Sequence, residues 1–479
     1  MKQFKRLLAL TMGTVVALTT LAGCSKPSNT AETTKETKEE AKTEINSTET
    51  APGEKTVITV WTKDRHDAEF QQAKVDAYNK TNTDNIEVVY EIYSDNYVQA
   101  VDMVFQNGDA PDMFVFQEQM FTNYVNSGKY ADITPFMDEE FKKTFGSALV
   151  NGMNVIDGKT YYVPTAATTC RLFYNKEIFD RVGLTKAPET LEEMVDAAKL
   201  ITSKLSGEGI YGFAANMKSP TSALNRSLAY MTERELGRRL GYDFAAGQYN
   251  FMDYTDILKA WKELLSPAAA FPGCESLDID PLRTQFAAGK IGMYISFTHA
   301  EPGVYENQFP MEQEWACAPI PTSGGKVVGK QNYTPLNGYL FNAESENLEA
   351  AWKVYKAIFA NVDNLVEYYE AGLGISSIPA VIEKAKPADI YINNPTLLVG
   401  DGDAIWPKTP HEKNTDAVIV EGQVMYDVFG EMLLGDKDIE SGLQDLTARY
   451  NAALKAGIDE GIGKEIKIDH FDPMNPSKS

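Results

Sequence analysis

Two α/β lobes, joined by more than one crossing of the chain, are what this sequence predicts. Three observations carry that expectation. The part able to fold is longer than one ordinary domain, its opening alternates strand and helix signals, and the same alternation restarts after residue 158.

The first residues set the folded part aside. A basic start (Lys2, Lys5, Arg6) runs into an apolar stretch from Leu7 to Leu21, then into Leu21-Ala22-Gly23-Cys24. About fifteen apolar residues are too few for a comfortable membrane span, whereas small residues before a cut site suit an export signal. The cysteine directly after them resembles the bacterial lipobox, which implies cleavage after residue 23 and lipid on Cys24. From Ser25 to Lys55 there is no aromatic residue, and Ile45 is the one large apolar side chain. Such a segment buries too little to offset its chain entropy, so 24–55 is expected to be a disordered tether holding the folded part off the lipid heads. Of 479 residues, roughly 420 are then left to fold, enough for two domains.

Composition narrows the function. The formal charge is -23, and loss of Lys2, Lys5 and Arg6 with the leader takes it to -26. Phosphate backbones repel such a chain, so no nucleic-acid partner is expected. No pair among Cys24, Cys170, Cys274 and Cys317 has Cys-x-x-Cys spacing, and the four histidines are scattered. Neither a disulfide framework nor a metal or cofactor site is expected, and the last three thiols read as small buried apolar groups.

Element by element, Thr56 to Trp61 alternates as a strand, and a helix follows the polar stretch Thr62 to Asp67 with Phe70, Ala73, Val75, Ala77 and Tyr78 as its buried face. Next come a strand at Ile86 to Ile92, a helix at Tyr97 to Asn107 broken by Gly108, and the apolar run Met113 to Phe116. The alternation restarts at the turn Gly158-Lys159-Thr160, with strands at Tyr161 to Val163 and Arg171 to Tyr174 and a helix opening near Lys176. Thr190, with Glu193 three residues on, forms a capping box. Helical regions at Ser222 to Gly241 and Tyr254 to Leu265 lead to a buried strand ending at Ile295. Beyond Ser323-Gly324-Gly325 come a strand around Gly338 to Phe341 and a helix with Leu348, Ala351, Trp352, Tyr355 and Phe359 on one face.

Several of these stretches resemble the family 1 extracellular solute-binding proteins of ABC importers, the maltose-binding-protein-like group. They are Gly108-Asp109-Ala110-Pro111-Asp112, Asp157 to Pro164, Phe173 to Phe179, Gly183-Leu184, Ala187 to Glu193, Phe286 to Met293 and Ala350-Ala351-Trp352. The resemblance implies an α/β, two-lobed periplasmic-binding-protein-like fold of class II type, with hinge crossings and an interlobe ligand cleft. Lobe 1 is expected to comprise 56–166 plus about 321–375, and lobe 2 to comprise 167–320 plus about 376–479, with the first crossing near Pro164 to Thr168. It also implies a small-molecule solute, a sugar above all, ABC permease membrane subunits as partners, and a place on the outer face of the bacterial cytoplasmic membrane. A monomer is expected.

Sugars present hydroxyls in a plane and C–H faces above and below, so a cleft needs forked donors, acceptors and aromatic surfaces, and strand ends supply them. Behind the first strand lie Trp61, Lys63, Asp64, Arg65 and His66, with Trp61 expected to stack, Asp64 to accept and Arg65 to donate. Behind the third lie Phe116 as platform, Gln117, and Glu118 as acceptor. Thr168 and Arg171 fall where the family often makes contacts, and Asn225 and Arg226 are candidates in the second lobe. Relatives often carry a tryptophan after the Gly-Lys-x-x-Met stretch, whereas this chain has Phe297 and His299 as candidates to substitute for it, a departure that puts a maltodextrin-like ligand in doubt. Tyr339, Ser376 in its turn, and Trp406 in a loop rich in Asp, Gly and Pro complete the set.

No Gly-x-Ser-x-Gly elbow, His-Glu-x-x-His helix or Walker loop is present, so reversible capture without turnover is the expected activity. A secreted lipoprotein glycoside hydrolase, a solute sensor without a permease and a surface adhesin are the alternatives, since a carboxylate pair is a property of the fold rather than of the sequence.

Overall fold

The computed structural model describes residues 55–93 and 96–478. The expected leader, Cys24 and the tether as far as residue 54 lie outside the described residues.

The opening elements follow in the predicted order: β1 (Thr56–Thr62), α1 (Ala68–Thr81), β2 (Ile86–Ile92), α2 (Tyr97–Asn107) and β3 (Met113–Val115). β1 lies parallel to both β2 and β3, and a strand from far along the chain, Tyr339–Phe341, adds antiparallel to β3. Period-two alternation sends Ile58 and Val60 into the core without exposure. α2 stops at Gly108, whose φ of +79 satisfies the helix end through an N–H bond to the Val104 carbonyl and would cost an L-residue about 1 kcal/mol.

α1 buries less than its pattern suggests. Only Val75 is fully buried, Phe70 and Tyr78 are half-buried, and Ala73 and Ala77 are exposed. The helix lies against the edge strand β2, where a narrow stripe suffices, and Asn79 ties it there by bonding both the N–H and the carbonyl of Val88 at 2.8 and 2.9 Å.

The second lobe is built on a mixed sheet in the order Trp315–Ala318, Cys170–Asn175, Ile291–Phe297, Tyr211–Phe213. One face of it, including Leu172, Met293 and Ile295, joins a core with Ile201, Trp261 and Phe429. The other face, including Phe173 and Tyr294, packs on Phe286 and Tyr305 and is continuous with the apolar cluster that fills the first lobe. Ile378, Val381, Tyr391 and Leu397 belong to that same cluster, and Trp406 belongs to the second-lobe core. Cys170, Cys274 and Cys317 are free and buried. Burial pushes Cys274 up to about 11 and Cys317 up to about 12, so neither presents a thiolate at neutral pH.

Two expected elements differ. Residues 161–165 form no strand, and the strand instead follows at Ala166–Thr168. The helical stretch Ser222 to Gly241 is two helices, Pro220–Asn225 and Leu228–Leu236, broken where Ser227 takes φ -135 and ψ -75. The Ser227 hydroxyl bonds back to the Ala223 carbonyl at 2.7 Å instead of capping the next helix. That break leaves Arg226 at the end of the first helix, its guanidinium held by Ser222 and reaching Ser296.

Ala166–Thr168 is the centre of a small sheet, flanked antiparallel by Thr334–Leu336 and Ile375–Ser376. On one side of each long crossing the chain enters the first sheet (Tyr339–Phe341), on the other the second (Cys170–Asn175). These short strands form the hinge between the lobes.

Candidate functional site

The two lobes meet beside the hinge through side chains from their strand ends. The second-lobe strand Ile291–Phe297 ends next to the hinge because Phe297 pairs with Cys170 and the Thr298 N–H bonds the Thr169 carbonyl at 2.9 Å. The following His299 places Nδ1 2.9 Å from Thr168 Oγ1. Across the gap, the loop after β1 brings His66 edge-on to His299 at 5.6 Å between ring centroids. His66 Nε2 donates to the Leu373 carbonyl at 3.1 Å. One residue earlier, Arg65 crosses to Asp280 of the second lobe at 2.6 Å. On a second flank, Thr415 Oγ1 donates to Asn123 Oδ1 at 3.1 Å and Lys408 lies over the Phe121 ring at 5.4 Å.

Within this frame a connected cluster forms. The Arg226 guanidinium sits 5.3 Å from the Phe297 ring centroid, a cation–π geometry. Phe297 lies 5.9 Å from His299 and has Tyr230 edge-on at 5.9 Å. From the first lobe, Lys63 donates to Gln117 Oε1 at 3.3 Å. Phe116, half-buried, stacks on Tyr162 at 4.4 Å and 25°. Glu118 is exposed in the first turn of the helix Glu118–Asn126. Asp64 is half-buried beside Lys63, and burial raises its carboxyl above the usual range while Lys63 and His66 oppose that rise. An apolar ring and a forked donor thus stand on one side of the hinge, and a ring, an ammonium and carboxylate acceptors on the other.

Burial above all, then His66, Lys63, Arg283 and Arg226, hold the His299 imidazole well below its ordinary range. The unfolded chain takes up a proton near pH 6.5 that the folded site refuses, so acid favours unfolding. This penalty is absent well above that pH and grows as the pH falls through it. We expect the melting temperature to drop more between pH 7.5 and pH 5.5, taken as about one unit either side of the free-histidine value, in the wild type than in His299→Gln.

Several expected contacts lie elsewhere. Trp61 is 9% exposed, its face covered by Tyr93 at 4.0 Å and its indole N–H donated to Glu91 at 2.6 Å. It is a core residue of the first sheet, not a platform, because β2 brings Glu91 and Tyr93 over that side of β1. Trp406 is buried with its N–H on the Lys330 carbonyl at 2.8 Å and its ring on Phe471, so it anchors its loop from inside rather than closing over a ring. Arg171 is buried against Asp403 at 2.7 Å and serves the second sheet. Tyr339 is buried on Phe359 at 4.3 Å and lines a cavity of about 20 Å³ shared with Asp64, Asp67, Thr165 and Tyr368, room for about one water. Ser376 accepts the Ile378 N–H at 3.2 Å and belongs to the hinge. Thr168 is likewise a buried hinge residue, reaching the cluster only through His299.

Sequence reasoning missed Tyr230 and Asp280. Asp280 bears the signal of an acidic residue in a helix's first turn, but its partner Arg65 lies 215 residues away.

Comparison with known proteins decides the family. The family model of bacterial extracellular solute-binding proteins matches residues 62–365, more than half of the chain. The chain belongs to that family. A relative of this solute-binding protein from Brucella abortus (strain 2308) is 25% identical over 392 residues, covering 81% of this chain and 90% of the relative. Among solved structures, one from work on xylan utilization by the thermophilic bacterium Caldanaerobius polysaccharolyticus superposes with a TM-score of 0.68 at 19% identity, covering 82% of this chain and all (100%) of that one. An ABC transporter solute-binding protein of Thermotoga lettingae bound to α-D-tagatose superposes at 0.65 and 18% identity, over 83% and 100% of the two chains. The two-lobed fold of the solute-binding protein is therefore shared. The family is extracellular, and no helix among the described residues is long and apolar enough to cross a membrane.

Proposed function

We propose that this solute-binding protein is the receptor of an ABC importer and captures a carbohydrate between its lobes, releasing it unchanged to membrane permease subunits. The observation that carries this reading is the cluster Arg226, Phe297 and His299 of one lobe facing Lys63 and His66 of the other beside the hinge. A ligand touching both sides favours the closed form through its differential affinity, the sense in which a hinge receptor works. Support comes also from the tagatose held by the Thermotoga relative and from the xylan context of the Caldanaerobius one. Asp64, Arg65, Phe116, Gln117 and Glu118 are proposed as further lining. Lipid on Cys24 would keep the protein, as a monomer, at the outer face of the membrane.

A thermal-shift screen over mono- and oligosaccharides tests this, because a ligand bound only by the folded state must raise the melting temperature. At least one saccharide should do so and be recovered intact. New products on incubation would favour a glycoside hydrolase, and no response to any saccharide would overturn the carbohydrate assignment.

A further inference from the structure

Among the described residues, Arg226 is a cation without a carboxylate partner. Its Nε donates to the Ser222 carbonyl at 3.0 Å, Nη2 to Ser222 Oγ at 3.0 Å and Nη1 to Ser296 Oγ at 3.4 Å, all of them neutral. No Asp or Glu among the described residues lies within ion-pair distance of it, although carboxylates outnumber Lys and Arg by 68 to 45 in the chain. Glu301 is the acidic group that acts on it, and Glu301 is already committed. That carboxylate is fully buried, receives Arg283 at 2.7, 3.1 and 3.2 Å, and accepts the Ser296 hydroxyl at 2.6 Å. Arg283 in turn shares Asp280 with Arg65, so two guanidiniums and two carboxylates balance without Arg226.

Lys63, His66, Arg283 and Arg226 bear on His299, while the carboxylates on the facing loop, Asp64 beside Lys63 and Asp67 at 4.0 Å from His66, belong to the other lobe. Burial and the nearby Arg283 disfavour the Arg226 charge, a cost that an anion in the cleft would remove. One N–H on each terminal nitrogen of Arg226 remains unspent, which matches the two oxygens of a carboxylate. Phe297, 5.3 Å from the guanidinium, offers an adjoining apolar surface.

We infer that the cleft selects an acidic saccharide, one bearing a uronate carboxylate, with Arg226 as the counter-ion. This rests on the carbohydrate reading above.

Matched pairs test it by calorimetry on the full folded protein: trigalacturonate against its methyl ester, glucuronosyl-xylotriose against its methyl ester, and glucose 6-phosphate against glucose. We expect one acidic member to bind about tenfold or more tightly than its neutral counterpart. Arg226→Gln should erase that ratio while Arg226→Lys keeps part of it. Equal or tighter binding of the neutral members overturns this inference and leaves the carbohydrate reading standing. So does a ratio that survives in Arg226→Gln, and so does a preference confined to the phosphate. Binding of no saccharide at all overturns both. The wild-type comparison decides the matter even if the variants do not fold.

Discussion

Replacing Trp61 by alanine should lower the unfolding free energy by about 3–5 kcal/mol. The indole lies on the central strand of the first sheet, next to Phe114 of β3 and Glu91 of β2 in register. Tyr93 covers one face, and the Tyr97 hydroxyl donates to the Trp61 carbonyl at 3.2 Å, holding the strand in place beneath the vacated space. Trp61→Phe should cost far less, about 1 kcal/mol, because exposed Glu91 exchanges the lost indole N–H for water. Urea unfolding followed by far-ultraviolet circular dichroism measures both. A Trp61→Ala protein of unchanged stability that has lost its ligand would place the indole in the cleft after all.

The second large effect belongs to Asp403. Its carboxylate takes Arg171 at 3.1 and 2.7 Å, with the side chains 8% and 1% exposed for Arg171 and Asp403. It also accepts the Gly400 N–H at 2.9 Å and the Thr169 hydroxyl at 3.2 Å. Asp403→Ala strands the guanidinium in the interior and should cost about 3–5 kcal/mol. Arg171 keeps neutral acceptors at the carbonyls of Cys170 and Thr396, which satisfy its geometry but not its charge. The double replacement Arg171→Met with Asp403→Leu should therefore be more stable than Asp403→Ala alone, the non-additivity expected of a buried pair. Equal losses from single and double variants would show that packing, not charge, holds this corner.

These two residues also mark where reading the sequence stops. Local signals were strong: the bounds Ile86–Ile92 and Tyr97–Asn107 coincide in pattern and structure, and the Thr190–Glu193 capping box has both of its reciprocal bonds. Periodicity within a dozen residues is enough for such elements. What a side chain meets across the fold is not local. The parity of β1 separates Trp61 from Val60, yet only Glu91 and Tyr93 decide that the Trp61 side is covered as well. Arg171 finds its carboxylate 232 residues on. Trp406 has the loop composition of an exposed residue and is drawn inside by the Lys330 carbonyl. Phe297, His299, Lys63 and His66 could be named because strand ends of open α/β sheets gather ligand groups whatever their distant partners. Arg226 was harder to place, since the break between its flanking helices contains neither Gly nor Pro.

Hydrogen exchange, with and without the saccharide that raises the melting temperature most, tests the central claim directly. Binding between the lobes predicts slowed exchange in both at once, in the backbone around 63–66 and 116–118 of the first and 222–230 and 297–299 of the second. Slowing confined to one lobe, or away from these strand ends, would contradict it.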